Sequence, residues 1–144
     1  MFSWQCEQEN LLKTIWKICS AKDARSITLQ EIESGWHKQG LSLSMMLFLL
    51  QRRGWLKTIG VNHYELTPYG MLCGRKIVRL HRLWEVYLVE YCKVASDRVH
   101  LSAEEMEHVI TPEIENELNV ILHHPKRDPH NKPSPQRDED ILLC

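Results

Sequence analysis

Apolar residues recur at helical spacing near the start of the chain. Between Glu7 and Ser20 they fall on one face of a 3.6-residue period, at Leu11, Leu12, Ile15, Trp16 and Ile18. A pattern of this length and period is typical of an amphipathic helix that packs one stripe against a core. The sequence therefore predicts a first helix over this stretch.

Two shorter helices are predicted to follow. Thr28 and Glu31 have the spacing of a capping box, which predicts a helix running to about Trp36. Gly40 interrupts the pattern, and the hydroxyl of Ser42 is placed to cap a third helix. That helix is expected to end at Gly54, because glycine is the usual residue just beyond a helix C-terminus.

The hydrophobic period then changes from 3.6 to 2. Residues 55–59 and 63–66 alternate apolar and polar positions on either side of Gly60-Val61-Asn62, which predicts a β-hairpin with a glycine-containing loop. A helix-turn-helix followed by a hairpin is the order of elements in a winged helix.

The second half of the chain is predicted to be helical. Thr67 and Pro68 open a long helix that extends to about Val94. A capping box over 102–105 and a Thr-Pro start over 111–112 predict two further helices, the last ending near Leu122. The segment 123–140 is rich in Pro, Asn, Asp and charge, which predicts an irregular strap or a frayed tail.

The fold class that follows is mainly α. We expect a winged helix-turn-helix domain over 1–70 and an all-helical domain over 71–144. The length of 144 residues fits one ordinary domain or two small ones. The longest uncharged apolar run, 41–50, is too short to span a bilayer, and no secretory signal precedes the first helix. No membrane contact and a cytoplasmic location are the resulting expectations.

Charge is segregated along the chain although the net charge is only −1. No Asp or Glu occurs from Ser34 to Tyr64, whereas 100–125 holds repeated Glu and no Lys or Arg. The first stretch is suited to an anionic partner and the second to cations.

The acid-free stretch supplies the candidate DNA contacts. Ser42 and Ser44 lie at the start of the third helix, where hydroxyls and free backbone N–H groups can meet phosphates and base edges. Met45 is the candidate for contact with a thymine methyl group. The full set, including the residues expected to bind phosphate, is Lys38, Gln39, Ser42, Ser44, Met45, Arg52, Arg53 and Lys57. The alternative for Arg52 and Arg53 is that they complement the helix dipole.

Two groups of carboxylates and imidazoles are candidate metal ligands. Glu104, Glu107 and His108 have i, i+3, i+4 spacing and share one helix face. His81 and Glu85 form an i, i+4 pair. Each group alone is also compatible with an acidic surface helix or a solvated pair. Together, mixed imidazole and carboxylate ligands suit Fe²⁺ or Mn²⁺ better than Cu(I).

The order and spacing of these motifs resemble the diphtheria toxin repressor and manganese transport regulator family, from about Glu7 to Pro135. The resemblance rests on Leu66-Thr67-Pro68-Tyr69-Gly70, His81-Arg82-Leu83 with Glu85, Val99-His100, Glu104-x-x-Glu107-His108-Val109 and Asp128-Pro129-His130-Asn131-Lys132-Pro133. It implies a primary metal site of Glu104, Glu107 and His108, with Asn10 where the family has Met or Asp. It implies a secondary site of His81, Glu85 and His100.

The resemblance also implies a function. Such a chain would be a repressor that binds double-stranded operator DNA as a homodimer, is activated by Fe²⁺ or Mn²⁺, and controls metal-uptake genes. The SH3-like domain that many members carry is not expected here. The chain further resembles the repressor domain that chlamydiae carry fused behind a metal-transporter permease. The alternatives are a metal-free winged-helix interaction module and a metal-dependent hydrolase, for which no catalytic motif is present.

Overall fold

The computed structural model describes residues 2–95, 103, 106, 108, 111–130, 132, 133 and 135, with side chains from Trp4 onward. The chain forms two compact units, Met1–Arg75 and Lys76–Cys144. The described helices and strands are α1 (Phe2–Ala21), β1 (Ser26–Thr28), α2 (Leu29–Gly35), α3 (Leu41–Arg52), β2 (Leu56–Gly60), β3 (His63–Leu66), α4 (Pro68–Glu90) and α5 (Pro112–Ile121). None of these helices is both long and apolar enough to cross a membrane.

The helices of the first unit pack their predicted apolar stripes inward. α1 contacts both α2 and α3. The residues with almost no exposure in this core include Leu11, Leu12, Ile15, Cys19, Ile27, Ile32, Leu43, Met46, Leu50 and Leu66. The prediction of the first helix is confirmed, although α1 begins several residues before Glu7.

The predicted capping box of α2 is confirmed. The backbone N–H of Glu31 donates to Thr28 Oγ1 over 3.2 Å, and the backbone N–H of Thr28 donates to Glu31 Oε2 over 2.7 Å. These reciprocal bonds satisfy two backbone donors that the start of a helix otherwise leaves without partners. The chain therefore turns into α2 directly from β1.

The start of α3 differs from the prediction. Its N-cap is Gly40, with φ of 67°, rather than Ser42, and no side chain caps the helix. Glycine reaches this left-handed backbone conformation without the steric cost of a Cβ atom, so the backbone turn and not a hydroxyl sets the helix start. The predicted end is confirmed, because the N–H groups of Gly54 and Trp55 bond back to the carbonyls of Gln51 and Leu50.

The predicted hairpin is confirmed as β2 and β3, which pair antiparallel with a bulge between Thr58 and Gly60. A third strand, β1, was not predicted. It pairs antiparallel with the other edge of β3, giving the order β1-β3-β2. Its three residues are too few to show a period of 2, and the strand depends on pairing with a partner far along the chain.

α4 begins as predicted. Thr67 Oγ1 accepts the backbone N–H of Gly70 over 2.9 Å and donates to the carbonyl of Gly54 over 2.6 Å. A Cβ at Gly70 would lie 1.9 Å from the carbonyl oxygen of Trp55, so glycine is required for this close approach. The helix ends at Glu90, short of the predicted Val94.

The second unit is built on the C-terminal part of α4 and on α5. Thr111 caps α5 and Pro112 occupies its first turn, as predicted. A buried cluster comprises Leu83, Trp84, Val86, Leu88, Ala103, Leu118 and Leu122. The capping box predicted over 102–105 lies outside the described residues.

Candidate metal centre and nucleic-acid interface

His81 and Glu85 lie side by side in the second unit. One turn of α4 separates them, and His81 Nε2 is 3.2 Å from Glu85 Oε1. Their side chains are only 4% and 3% exposed. Buried imidazole and carboxylate groups are costly unless they are hydrogen-bonded, charge-paired or bound to a cation. The hydrogen bond between the two side chains meets this requirement, and because an imidazole nitrogen and a carboxylate oxygen are also metal ligands, the pair is a candidate half of a metal site.

Arg82, the residue after His81, anchors the strap to α4. Its Nη1 donates to the backbone carbonyl of Pro133, and its Nε lies 3.7 Å from Asp128 Oδ2. Burial lowers the pKa of the Arg82 guanidinium, and the nearby carboxylates of Asp128 and Glu85 oppose that shift. Arg82 thus contacts the strap and also interacts electrostatically with Glu85.

The strap itself forms a tight loop around Asp128. Asp128 Oδ1 accepts the backbone N–H groups of His130 and Lys132 over 2.9 and 2.8 Å. The backbone N–H of Asp128 donates to the carbonyl of Lys132, and Arg127 forms an antiparallel bridge with Pro133. Among the described residues of the predicted strap, this loop is therefore held by the buried Asp128 carboxylate and by Arg82.

The remaining candidate ligands are less fully described. His108 is half-buried, and Asn10 is half-buried on α1 in the first unit. Glu104, Glu107 and His100 lie outside the described residues. In the part of the chain that the structure describes, no three His, Cys, Asp or Glu side chains form a group that could hold a metal ion. The observed donor chemistry, one imidazole nitrogen beside one carboxylate oxygen, fits Fe²⁺ or Mn²⁺.

Most candidate DNA contacts are solvent-exposed. Gln39, Ser42, Ser44, Met45, Arg52, Arg53 and Lys57 are all exposed, and Lys38 is half-buried. The guanidinium carbon of Arg53 lies 4.8 Å from the ring centroid of Trp55, a cation–π distance. α3 and its C-cap residue Arg53 thus present the two serines, Met45 and both arginines to solvent.

Two of the candidate cations already have carboxylate partners. Lys38 Nζ lies 2.5 Å from Glu7 Oε1, and Lys57 Nζ lies 2.8 Å from Glu65 Oε1 across the β2–β3 ladder. Sequence reasoning missed both pairs because each joins residues on different elements. Of the four proposed cations, Arg52 and Arg53 form no ion pair within the described residues.

Sequence reasoning also missed two exposed apolar residues of α3, Leu41 and Phe48, which are 91% and 54% exposed. Their i, i+7 spacing, with Met45 between them, was a signal that could have identified a common face. The anchoring role of Arg82 had no such local signal, because its partners lie far along the chain.

Comparison with known proteins gives the class. Residues 67–136 match the family described as iron dependent repressor, metal binding and dimerisation domain. The chain is 32% identical over 147 residues to a probable metal transport system membrane protein of Chlamydia trachomatis, covering 99% of this chain and 32% of that protein. It is 32% identical over 98 residues to the iron-dependent repressor IdeR of Mycobacterium tuberculosis, covering 68% of this chain and 43% of IdeR.

The fold agrees with this class. The structure of the manganese regulator SloR superimposes with a TM-score of 0.77 and 28% identity, covering 90% of this chain and 59% of SloR.

The chain spans about a third of the length of the chlamydial relative and less than half of the length of IdeR.

The chain belongs to the diphtheria toxin repressor and manganese transport regulator family of metal-dependent repressors. IdeR and SloR are named as a repressor and a regulator, which favours the repressor interpretation over the hydrolase alternative.

Proposed function

We propose that this chain is a metal-activated transcriptional repressor that binds operator DNA as a homodimer and controls metal-uptake genes. Residues 1–70 act as a winged helix-turn-helix, and residues 71–144 bind the metal and dimerise. The observation that carries the proposal is the buried His81–Glu85 pair, which lies within the segment that matches the family's metal-binding domain.

The proposed ligands form two sets. Glu104, Glu107 and His108 form the primary set, to which Asn10 adds an oxygen donor. His81, Glu85 and His100 form the secondary set. When bound, Fe²⁺ or Mn²⁺ supplies the positive charge that compensates these carboxylates.

The protein supplies part of that compensation itself. The carboxylate of Glu85 is buried, and the guanidinium of Arg82 on the same helix interacts with it electrostatically. Because Arg82 also holds Asp128 and Pro133, the strap and the secondary set share one anchoring residue. We therefore expect a change in charge at His81 or Glu85 to alter the interaction of Arg82 with the strap.

The DNA-binding half of the proposal rests on α2, α3 and the hairpin. In a helix-turn-helix the second helix enters the major groove, and here that helix is α3. Its exposed serines and its terminal arginines, Arg52 and Arg53, are suited to phosphate and base contacts. If the bound metal favours the DNA-binding arrangement by about 1–3 kcal/mol, the affinity for DNA increases 5- to 150-fold.

We further propose that the chain acts in association with a metal transporter, either fused to it or released from it. The support is that the Chlamydia trachomatis relative is named a probable metal transport system membrane protein and matches nearly the whole chain within about a third of its length.

Direct metal binding tests the ligand assignment. Equilibrium dialysis with Mn²⁺, and with Fe²⁺ under anaerobic conditions, should show two classes of site in the unmodified chain. His108→Ala should remove the tighter class, and His81→Ala should remove the weaker one. The control is His123→Asn, which removes an exposed imidazole that is not a proposed ligand. Asparagine is chosen because it tolerates the positive φ of 53° at this position. Wild-type stoichiometry in both His→Ala variants would contradict the assignment.

A further inference from the structure

The Asp128 carboxylate is buried although it lies on an irregular loop. Its side chain is only 3% exposed, and its two oxygens have different partners. Oδ1 accepts the backbone N–H groups of His130 and Lys132, whereas Oδ2 lies 3.7 Å from Arg82 Nε on α4. The neutral side-chain oxygen of an asparagine could accept the same two backbone N–H groups. The negative charge of Asp128 is therefore needed for its contact with Arg82 rather than for closing the loop.

Arg82 links this carboxylate to the proposed secondary metal set. Its Nη1 donates to the backbone carbonyl of Pro133, so two of its nitrogens contact the strap. Arg82 and Glu85 are three residues apart on α4, a spacing that brings two side chains to one helix face, and their charges interact. Glu85 Oε1 in turn lies 3.2 Å from His81 Nε2. The guanidinium thus interacts with one carboxylate on the strap and with one in the proposed metal set.

A cation that interacts with two carboxylates changes the affinity of each for other cations. A divalent metal ion and the Arg82 guanidinium carry like charges and compete for the carboxylate of Glu85. The negative charge of Asp128 weakens this competition, because the pair that it forms with Arg82 is largely buried and is little screened by salt. Groups beyond the direct ligands commonly change metal affinity by about 10- to 100-fold. Asp128 is therefore placed to influence a metal site that it does not enter.

Resting on the proposed function, we propose that Asp128 is a positioning residue for the secondary metal set and that it acts through Arg82. The Asp128 carboxylate holds the guanidinium on the strap and leaves Glu85 available to Fe²⁺ or Mn²⁺. Because the coupling between two sites is reciprocal, Arg82 pairs more strongly with Asp128 when the secondary set is occupied. Occupation of that set therefore fastens the strap to α4.

The first test measures the Kd of each class of metal site in the full chain by equilibrium dialysis with Mn²⁺. Asp128→Asn keeps an oxygen that accepts the loop N–H groups but removes the charge opposite Arg82. It should raise the Kd of the weaker class about 10-fold and leave the tighter class unchanged. Glu117→Gln, which removes an exposed carboxylate of α5, is the matched control and should bind Mn²⁺ as the unmodified chain does. An unchanged weaker class in Asp128→Asn, or loss of both classes, would overturn the proposal.

A double-substitution cycle tests whether the effect passes through Arg82. Arg82→Gln removes the competing cation and should lower the Kd of the weaker class. In that background, Asp128→Asn should change this Kd by no more than about twofold, because the residue through which it acts is absent. An effect of Asp128→Asn that is the same with and without Arg82 would show that Asp128 acts by another route and would overturn the proposal.

The reciprocal effect is measured at the strap by hydrogen exchange of the backbone N–H groups of His130 and Lys132, which Asp128 accepts. Mn²⁺ should slow their exchange severalfold at concentrations that fill the weaker class of site. His81→Ala should remove this response to Mn²⁺. Exchange that does not respond to Mn²⁺ in the unmodified chain would contradict the fastening of the strap.

The outcomes separate this inference from the proposed function. If the unmodified chain binds operator DNA in a metal-dependent manner and has both classes of site, but Asp128→Asn changes neither, the inference alone fails. If the unmodified chain has no weaker class that His81→Ala removes, the secondary set is misassigned and both fail.

Discussion

Individual polar side chains fix the local turns of this protein, and Glu31 shows how. Its carboxylate accepts from Lys22 Nζ and from the backbone N–H of Thr28, both over 2.7 Å. These two bonds favour the ionised form and lower the pKa of Glu31 from 4.5 to about 2. A carboxylate with a depressed pKa stabilises the fold above its unfolded-state pKa, and that contribution is lost as the pH falls toward the folded-state pKa.

Substitution of Glu31 should therefore have a pH-dependent effect. Glu31→Gln should lower the free energy of unfolding at neutral pH, and its difference from the unmodified chain should shrink as the pH falls from about 4.5 to about 2. Urea unfolding across this range measures the effect, with Glu33→Gln as the control for loss of a charge on the same helix. A difference that stays constant with pH would show that the cap does not depend on ionised Glu31.

At the scale of elements, a buried ion pair joins α4 to α5. Arg79 Nη2 donates to Glu115 Oε1, and the two side chains are 7% and 3% exposed. Leaving either charge buried without its partner is expensive, whereas replacing both by apolar groups can be nearly neutral. The pair therefore adds little to net stability. Its main effect is to determine which faces of α4 and α5 pack together.

Removing one member of this pair should destabilise the second unit strongly. Arg79→Met should lower the free energy of unfolding by about 3–5 kcal/mol, and Arg79→Met with Glu115→Leu should recover most of that loss. The control is Lys57→Met, which breaks the exposed pair with Glu65 and should cost about 1 kcal/mol or less. An Arg79→Met variant as stable as Lys57→Met would contradict the role of the buried pair.

At the scale of the whole molecule, features with local causes were predictable from the sequence. The capping box of α2, the Gly54 helix end, the hairpin and the Thr67–Pro68 start each depend on residues within a few positions of one another. Features that join distant segments were not predictable. β1 exists because β3 pairs with it, and the strap conformation depends on Arg82.

The candidate sites also contain some features that the sequence could predict and others that it could not. The i, i+4 spacing of His81 and Glu85 predicted their juxtaposition, because one turn of helix fixes it. The spacing of Leu41, Met45 and Phe48 places them on one face of α3, but the exposure of that face was not predictable, because the apolar run does not show which face the core covers. The pairing of Lys38 with Glu7 likewise depends on how α1 packs in the first unit.

Metal-dependent DNA binding tests the central claim most directly. The measurement is the Kd for a selected operator by anaerobic fluorescence anisotropy, with Mn²⁺ or Fe²⁺ and with the metal removed by a chelator. The chain should bind 5- to 150-fold more tightly with metal. His108→Ala should abolish this gain, whereas His81→Ala should only raise the metal concentration required. Equal operator affinity with metal and with chelator would contradict the account.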